Sequence, residues 1–188
     1  MHSLIVFASG AGSNTRAIID YFKQAGTAIV SLIVSNKPDA GVLNIARDEN
    51  IPTLVIDKQR FNDPALVEEL HSYNPSLIVL AGFLWKVPDA VIAAFPDRII
   101  NIHPALLPSY GGRGMYGHHV HNAVLAAGDK ESGITIHYVN EVYDSGNIIV
   151  QARCPITEGD SSETLAASVH ALEHFYFPRT IDFLLQQL

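Results

Sequence analysis

Cysteine is nearly absent from the sequence, which has one, Cys154, in 188 residues. A single cysteine excludes an internal disulfide framework and predicts a reducing, cytoplasmic location. Basic residues are few as well, since 12 lysines and arginines against 19 aspartates and glutamates give a net charge of −7. This balance argues against general nucleic-acid binding, so any anionic ligand must be held by local donors.

Long apolar runs are also missing. No segment approaches the ~20 apolar residues that a membrane span requires, so we expect no membrane partner. Apolar residues nevertheless make up 48% of the chain and charged residues 16%, a balance typical of a globular protein. Residues 1–188 therefore fit a single domain with a sizeable core.

Short apolar runs alternate with helical patterns through the first half of the chain. The predicted strands cover residues 3–9, 28–34, 52–56, 77–81 and 98–102. This repetition predicts an α/β fold with a doubly wound, mostly parallel sheet, which binds ligands at the carboxyl ends of its strands. Alternating runs at 133–139 and 148–154 add an antiparallel hairpin near the C-terminal end. Asp160 and Glu163 predict a capped last helix, bent or broken near Pro178.

A glycine-rich turn follows the first predicted strand and precedes a helical pattern. Its residues include Gly10, Gly12, Ser13 and Asn14. Strand, glycine turn and helix present free backbone N–H groups and a positive helix end to an anion. The loop lacks the lysine of a Walker A motif, and Thr15 stands where a dinucleotide fingerprint needs a third glycine. It therefore indicates a phosphate-monoester site, with a plain tight turn as the alternative.

Asn101 and His103 lie two residues apart where the fifth predicted strand should end. Alternation along a strand places both on one side, so they can converge on one reacting centre. A carboxamide that donates to a developing oxyanion, beside an imidazole that moves a proton, is a plausible acyl-transfer pair. The alternative is a buried strand that ends in a hydrogen-bonded core histidine.

Two loops at the same predicted edge could contact ligands. The first carries Phe83 and Trp85 and could wall a flat heterocycle, although core packing is the commoner use of such residues. The second, at 109–117, contains four glycines and could be a mobile lid. It leads to His118, His119 and His121, whose spacing favours a helix start over a metal site, because it lacks the i, i+4 pair and any cysteine partner.

Four segments together resemble the folate-dependent phosphoribosylglycinamide formyltransferase family. They occur in the family's order and span nearly the whole chain, at residues 9–14, 80–83, 101–108 and 144–146. The resemblance implies a Rossmann-like formyltransferase fold. It also implies transfer of a formyl group from 10-formyltetrahydrofolate to the glycine amine of 5-phosphoribosylglycinamide, in de novo purine biosynthesis, by direct attack through a tetrahedral intermediate. Neither a metal nor a nucleotide cofactor is implied.

The resemblance also assigns roles to individual residues. The catalytic residues would be Asn101, His103 and Asp144, with the carboxylate raising the pKa of the imidazole. The ribonucleotide-binding residues would be Gly12, Ser13, Asn14, His170 and Glu173. Folate binding would involve Asn101 and Asp144 again, together with Lys58 (or Arg60 in its place), Leu84, Trp85, Lys86, Val87, Asn140, Glu141, Val142 and Tyr143.

The resemblance further divides the domain into a ribonucleotide-phosphate half, at about 1–100, and a catalytic and folate half, at about 101–188. The expected partners are the two small-molecule substrates, and the expected state is a monomer or weak homodimer. Three other functions remain as alternatives: a formyltetrahydrofolate hydrolase, a methionyl-tRNA formyltransferase, and a non-catalytic phosphate-ester binding module on the same fold. The joint presence of Asn101, His103 and Asp144 argues against the binding module, since binding alone needs no such triad.

Overall fold

A computed structural model describes all residues from Met1 to Leu188 and contains one seven-stranded sheet. The strand order is β3-β2-β1-β4-β5-β6-β7, in which β1 to β5 are parallel and the last two strands are antiparallel. The predicted doubly wound, mostly parallel sheet with a C-terminal hairpin is therefore confirmed. The strands are β1 (His2–Phe7), β2 (Ala28–Ser35), β3 (Thr53–Val55), β4 (Leu77–Leu80), β5 (Ile99–His103), β6 (Glu131–Tyr138) and β7 (Ile148–Pro155).

The central strands are apolar on both sides because helices cover both faces of the sheet. Within β1, Leu4 and Val6 pack into a core of 29 buried residues on one face. Ile5 and Phe7 point the other way, into a core of 15 buried residues. The continuous apolar run of β1 thus contributes alternate side chains to the two cores. Periodicity alone does not show which face each side chain occupies.

The helices are divided between the two faces. The larger core contains buried residues of α1, α2, α6 and α7, and the smaller core contains buried residues of α3, α4 and α5. None of these helices is long and apolar enough to cross a membrane. The helices are α1 (Ser13–Ala25), α2 (Val42–Asp48), α3 (Lys58–Phe61), α4 (Ala65–Ser72), α5 (Asp89–Ala94), α6 (His118–Ala127) and α7 (Ser162–Leu185).

The start of α7 differs from the predicted cap. Ser161 is the N-cap: its side chain accepts from the backbone N–H of Thr164, whose hydroxyl accepts from the Ser161 N–H in turn. Asp160 instead accepts from the backbone N–H of Thr157, so the predicted pairing of Asp160 with Glu163 is wrong. The capping box is therefore one residue later than predicted and satisfies the N–H groups of Ser161 and Thr164.

Of the two outcomes predicted near Pro178, a bend or a break, the break is wrong, because the helix continues through Pro178 to Leu185. Proline removes one backbone donor from the helix. Its ring is buried among core residues, and the Thr180 hydroxyl donates to the Tyr176 carbonyl, 2.8 Å away, in the same turn. Burial of the apolar face therefore keeps the helix continuous where local propensity would end it.

Replacing Gly133 by alanine is expected to lower the free energy of unfolding by about 1–3 kcal/mol. A Cβ at this position of β6 would overlap the carbonyl oxygen of Ala152 on β7, and backbone atoms cannot give way as a side chain can. Urea denaturation measures the difference. Gly10→Ala is the matched control, because nothing lies within 4 Å of the added Cβ there; equal destabilisation of both variants would contradict the expectation.

Candidate active site

A cavity of about 730 Å³ lies at the carboxyl ends of β1, β4 and β5. Parallel α/β sheets place their ligand sites at this edge. Its walls come from the glycine-rich turn after β1, the aromatic loop after β4, the end of β5, the 109–117 loop, the 140–144 loop and helix α7. The predicted segments thus meet at one cavity.

The glycine-rich turn has the conformation that its sequence predicted. Gly12 has a left-handed backbone, with φ of 83°, and a Cβ there would lie 2.8 Å from the side chain of Val42. Only glycine fits this combination of conformation and contact. Helix α1 begins at Ser13 without a side-chain cap, so its leading N–H groups are left for a ligand. The phosphate-site interpretation therefore has the geometry that it requires.

Two polar residues connect this turn to helix α7. The Asn14 amide donates to the carboxylate of Glu173 over 2.9 Å. Glu173 is only 5% exposed, and burial raises the pKa of its carboxyl group, although the hydrogen bond from Asn14 opposes that shift. His170, one turn earlier on α7, lines the same part of the cavity. All five predicted ribonucleotide-binding residues accordingly lie in the cavity wall: Gly12, Ser13, Asn14, His170 and Glu173.

The three predicted catalytic side chains converge at the end of β5. His103 Nδ1 lies 3.6 Å from Asp144 Oδ2, and Asn101 Nδ2 lies 3.5 Å from Asp144 Oδ1. Asp144 has a left-handed backbone, with φ of 52°, and accepts a hydrogen bond of 2.9 Å from the backbone N–H of Gly112. The 109–117 loop therefore holds the carboxylate that faces both strand residues.

His137 is a fourth member of this cluster, and sequence reasoning missed it. It lies directly opposite Asn101 in the β5–β6 pairing, 3.1 Å from the Asn101 amide and 3.6 Å from Asp144. Its Nδ1–H donates to the Tyr138 carbonyl over 2.8 Å, which leaves Nε2 to accept from the Asn101 amide. His137 thus orients Asn101. The sequence shows that His137 lies in an alternating strand. It does not show the strand register that pairs His137 with Asn101.

The expected rise in the pKa of His103 is wrong. The side chain is buried, with 3% of the residue exposed, and burial lowers the pKa of its imidazole below the usual range. Asp144 and the Tyr110 carbonyl, which accepts from His103 Nε2 over 2.7 Å, raise the pKa but do not outweigh the burial. The ring is therefore neutral near pH 7, with its proton on Nε2 and a lone pair on Nδ1.

The aromatic loop after β4 forms the opposite wall of the cavity. Phe83 packs edge-on against Phe7 at 5.2 Å and lies 6.4 Å from the ring of Trp85. Core packing is therefore confirmed, because these rings pack against the smaller core; they also line the cavity, and contact with a flat heterocycle stays a prediction. The predicted folate-contacting residues that lie in the wall are Leu84, Trp85, Lys86, Val87, Asn101, Asn140, Val142, Tyr143 and Asp144.

Two predicted folate contacts lie outside the cavity wall. Lys58 is exposed in the short helix α3, and Glu141 is exposed at its loop. Helix α3, capped by Asp57, was not predicted, and its turn places the Lys58 side chain on the surface. Arg60, the alternative cation, pairs with Glu69 at 2.9 Å.

The histidines after the 109–117 loop begin helix α6, as one of the two interpretations expected. His118 Nδ1 lies 3.0 Å from the Ser162 hydroxyl at the start of α7, and His121 is buried in the cavity wall. No group of three or more His, Cys, Asp or Glu side chains is placed to hold a metal ion.

Comparison with known proteins gives a consistent assignment. A family model described as "Formyl transferase" matches residues 2–181. The chain therefore belongs to the formyl transferase family. It is 43% identical over 178 residues to the chloroplastic phosphoribosylglycinamide formyltransferase of Arabidopsis thaliana, covering 91% of this chain and 61% of that protein. It is also 37% identical over 191 residues to the phosphoribosylglycinamide formyltransferase of Bacillus subtilis (strain 168), covering 98% and 95%.

Solved structures agree with these relatives. Glycinamide ribonucleotide transformylase 1 from Symbiobacterium toebii superimposes with a TM-score of 0.90 at 34% identity, covering 100% of this chain and 89% of that one. The phosphoribosylglycinamide formyltransferase from Coxiella burnetii gives 0.88 at 39% identity, covering 99% and 88%. The chain spans 61% of the length of the two chloroplastic relatives that it matches, from Arabidopsis thaliana and Vigna unguiculata.

Proposed function

We propose that the protein transfers the formyl group of 10-formyltetrahydrofolate to the glycine amine of 5-phosphoribosylglycinamide. The products are N-formylglycinamide ribonucleotide and tetrahydrofolate, in de novo purine biosynthesis. The observation that carries the proposal is the convergence of Asn101, His103 and Asp144 in one cavity with an uncapped helix N-terminus. The names of the relatives support it.

The chemistry follows from the charges that the reaction creates. The amine attacks the formyl carbon, and the carbonyl oxygen becomes an oxyanion that the Asn101 amide stabilises; one such donor contributes about 3 kcal/mol. The neutral His103 accepts the amine proton and later delivers it to the departing folate nitrogen, as the C–N bond to folate breaks. Asp144, 3.6 Å from Nδ1, stabilises the imidazolium that forms in between.

The cavity accommodates the two substrates from opposite ends. The ribonucleotide phosphate binds the turn at Gly12, Ser13 and Asn14, in the half formed by about residues 1–100. The folate lies between the Trp85 loop and the 140–144 loop, so that the reacting atoms meet at His103, which belongs to the half formed by about 101–188. Each half also contributes to the other substrate, through the Trp85 loop and through His170 and Glu173, and both halves supply strands of one sheet.

We further infer that the chain acts as a monomer or weak homodimer in the cytoplasm. The residues assigned to the proposed reaction and to both substrates all come from one chain, which supports this inference. The single free cysteine suits a reducing compartment. Size-exclusion chromatography with light scattering measures the oligomeric state directly.

Formyl release from 10-formyltetrahydrofolate is expected to depend on added 5-phosphoribosylglycinamide. The amine is the nucleophile in the proposed reaction, and the neutral His103 serves it as a base. Folate absorbance follows the reaction, with and without the ribonucleotide, and a mass measurement identifies the formylated product. Release at the same rate into water alone would instead support the hydrolase.

A further inference from the structure

His121 is a buried titratable group that the proposed reaction does not use. It lies on α6, is 2% exposed and forms part of the cavity wall. Its Nδ1 has no hydrogen-bond partner, and neither does the buried Oδ1 of Asn14. Buried polar atoms are almost always paired in folded proteins. Two unpaired atoms in one cavity wall indicate that a ligand or a rearranged side chain supplies their missing hydrogen-bond partners.

The residues around His121 place it at the phosphate end of the cavity. The hydrogen bond from Asn14 to Glu173 joins the glycine-rich turn to α7, and His170 lies one turn before Glu173. His121 is close enough to His170 and His118 for both to disfavour its protonation. The titratable groups that act on His121 are therefore the imidazoles of His170 and His118, and the buried carboxyl group of Glu173 lies one turn beyond His170.

No lysine or arginine of the cavity wall lies on the glycine-rich turn, α6 or α7. The lysine and arginine in the wall are Lys86 and Arg113. Lys86 pairs with Asp89 over 3.0 Å on the folate side, and Arg113 belongs to the 109–117 loop. The residues that α6 and α7 contribute to the wall are His121, His170 and Glu173. A phosphate dianion bound at Ser13 and Asn14 thus meets imidazoles where a lysine or arginine would give permanent charge.

We propose that His121 takes up a proton when the ribonucleotide phosphate binds, so that phosphate affinity is coupled to pH. The proposal rests on the phosphate site of the proposed function. In the empty cavity, burial first, then His170 and His118, lower the pKa of His121 to about 4, so the ring is neutral. A dianion beside it favours the charged form. Binding therefore consumes a proton, and affinity rises as the pH falls.

Calorimetric titration with sulfate tests the coupling, because sulfate carries two charges and does not itself take up a proton near neutral pH. In buffers of different ionisation enthalpy, binding is expected to show uptake of about one proton. The dissociation constant is expected to rise from pH 5.5 to 6.5, by up to about tenfold if one full proton is taken up. His121→Gln is expected to lose both effects. The matched control is His119→Gln, an exposed residue on the same helix and outside the cavity wall.

Glu173 and His170 require separate variants, because either group could also take up the proton. Retention of the pH dependence in His121→Gln, with its loss in Glu173→Gln or His170→Gln, would overturn the proposal. So would sulfate binding by the unmodified protein without proton uptake. Should His121→Gln fail to fold, the ¹⁵N chemical shifts of the two His121 ring nitrogens in the unmodified protein provide the same test. Protonation of the ring on sulfate addition changes both chemical shifts.

The failure of this proposal is distinguishable from failure of the proposed function. Sulfate binding with proton uptake, without formylation of 5-phosphoribosylglycinamide, would retain the coupling and refute the reaction. Formylation of 5-phosphoribosylglycinamide with pH-independent sulfate binding would support the reaction and refute the coupling.

Discussion

Replacing His103 by alanine is expected to lower kcat by about 10²–10⁴-fold while the ribonucleotide still binds. His103 is the neutral base at the reacting centre, and its ring nitrogens face Asp144 and the Tyr110 carbonyl, which are not part of the turn at Ser13 and Asn14 that holds the phosphate. Removal of a group used only in the transition state lowers kcat without weakening ground-state binding. Folate absorbance under saturating substrates measures kcat, and calorimetry measures ribonucleotide affinity.

The control for this variant is His119→Ala, which removes an exposed imidazole outside the cavity wall. Near-normal turnover in His103→Ala would refute the assigned role. An equal loss of turnover and of ribonucleotide affinity would instead point to damage of the whole cavity.

Replacing Asp144 by asparagine is expected to lower kcat by about 10²–10³-fold and to move the acid limb of the pH–rate profile to lower pH. Asparagine tolerates the left-handed backbone at this position and keeps an oxygen for the Gly112 N–H. It removes the negative charge that raises the pKa of His103. The base therefore stays deprotonated to lower pH, but the imidazolium formed during the reaction loses its stabilising partner.

Asp97→Asn is the matched control, because Asp97 is also a left-handed aspartate, with φ of 55°, but is exposed and lies outside the cavity wall. If the pH–rate profile of Asp144→Asn kept the original acid limb, Asp144 would not influence the pKa of His103 and the expectation would be contradicted. Initial rates across the range from pH 5 to 9 provide the comparison.

The parts of the site that follow from local pattern were predictable from the sequence. Alternation along β5 placed Asn101 and His103 on one side, and glycine with a following helix placed an anion site at Gly12. Both depend on chain geometry over a few residues, which a sequence determines directly. The order of strand and helix similarly fixed the edge of the sheet where these residues meet.

The remaining parts depend on distances between segments far apart in the chain. His137 became visible only through its register with Asn101, and Asp144 needed the family resemblance, because 40 residues of loop and strand separate it from β5. The direction of the His103 pKa shift depends on how deeply the ring is buried, and a sequence does not give that depth. Lys58 lies outside the cavity wall, on the short helix α3 that was not foreseen, so its contact with folate stays a prediction.

The carbonyl of Tyr110 selects which nitrogen of His103 is basic. While it accepts from Nε2, the ring proton stays there and the lone pair remains on Nδ1, beside Asp144. Movement of the 109–117 loop would release Nε2. The ring proton of His103 could then reside on Nδ1, and the Asp144 carboxylate would accept a hydrogen bond from Nδ1–H. The imidazole then has two tautomers with opposite polarity toward the substrates. The tautomer of His103 is thus coupled to the position of the 109–117 loop through this one hydrogen bond.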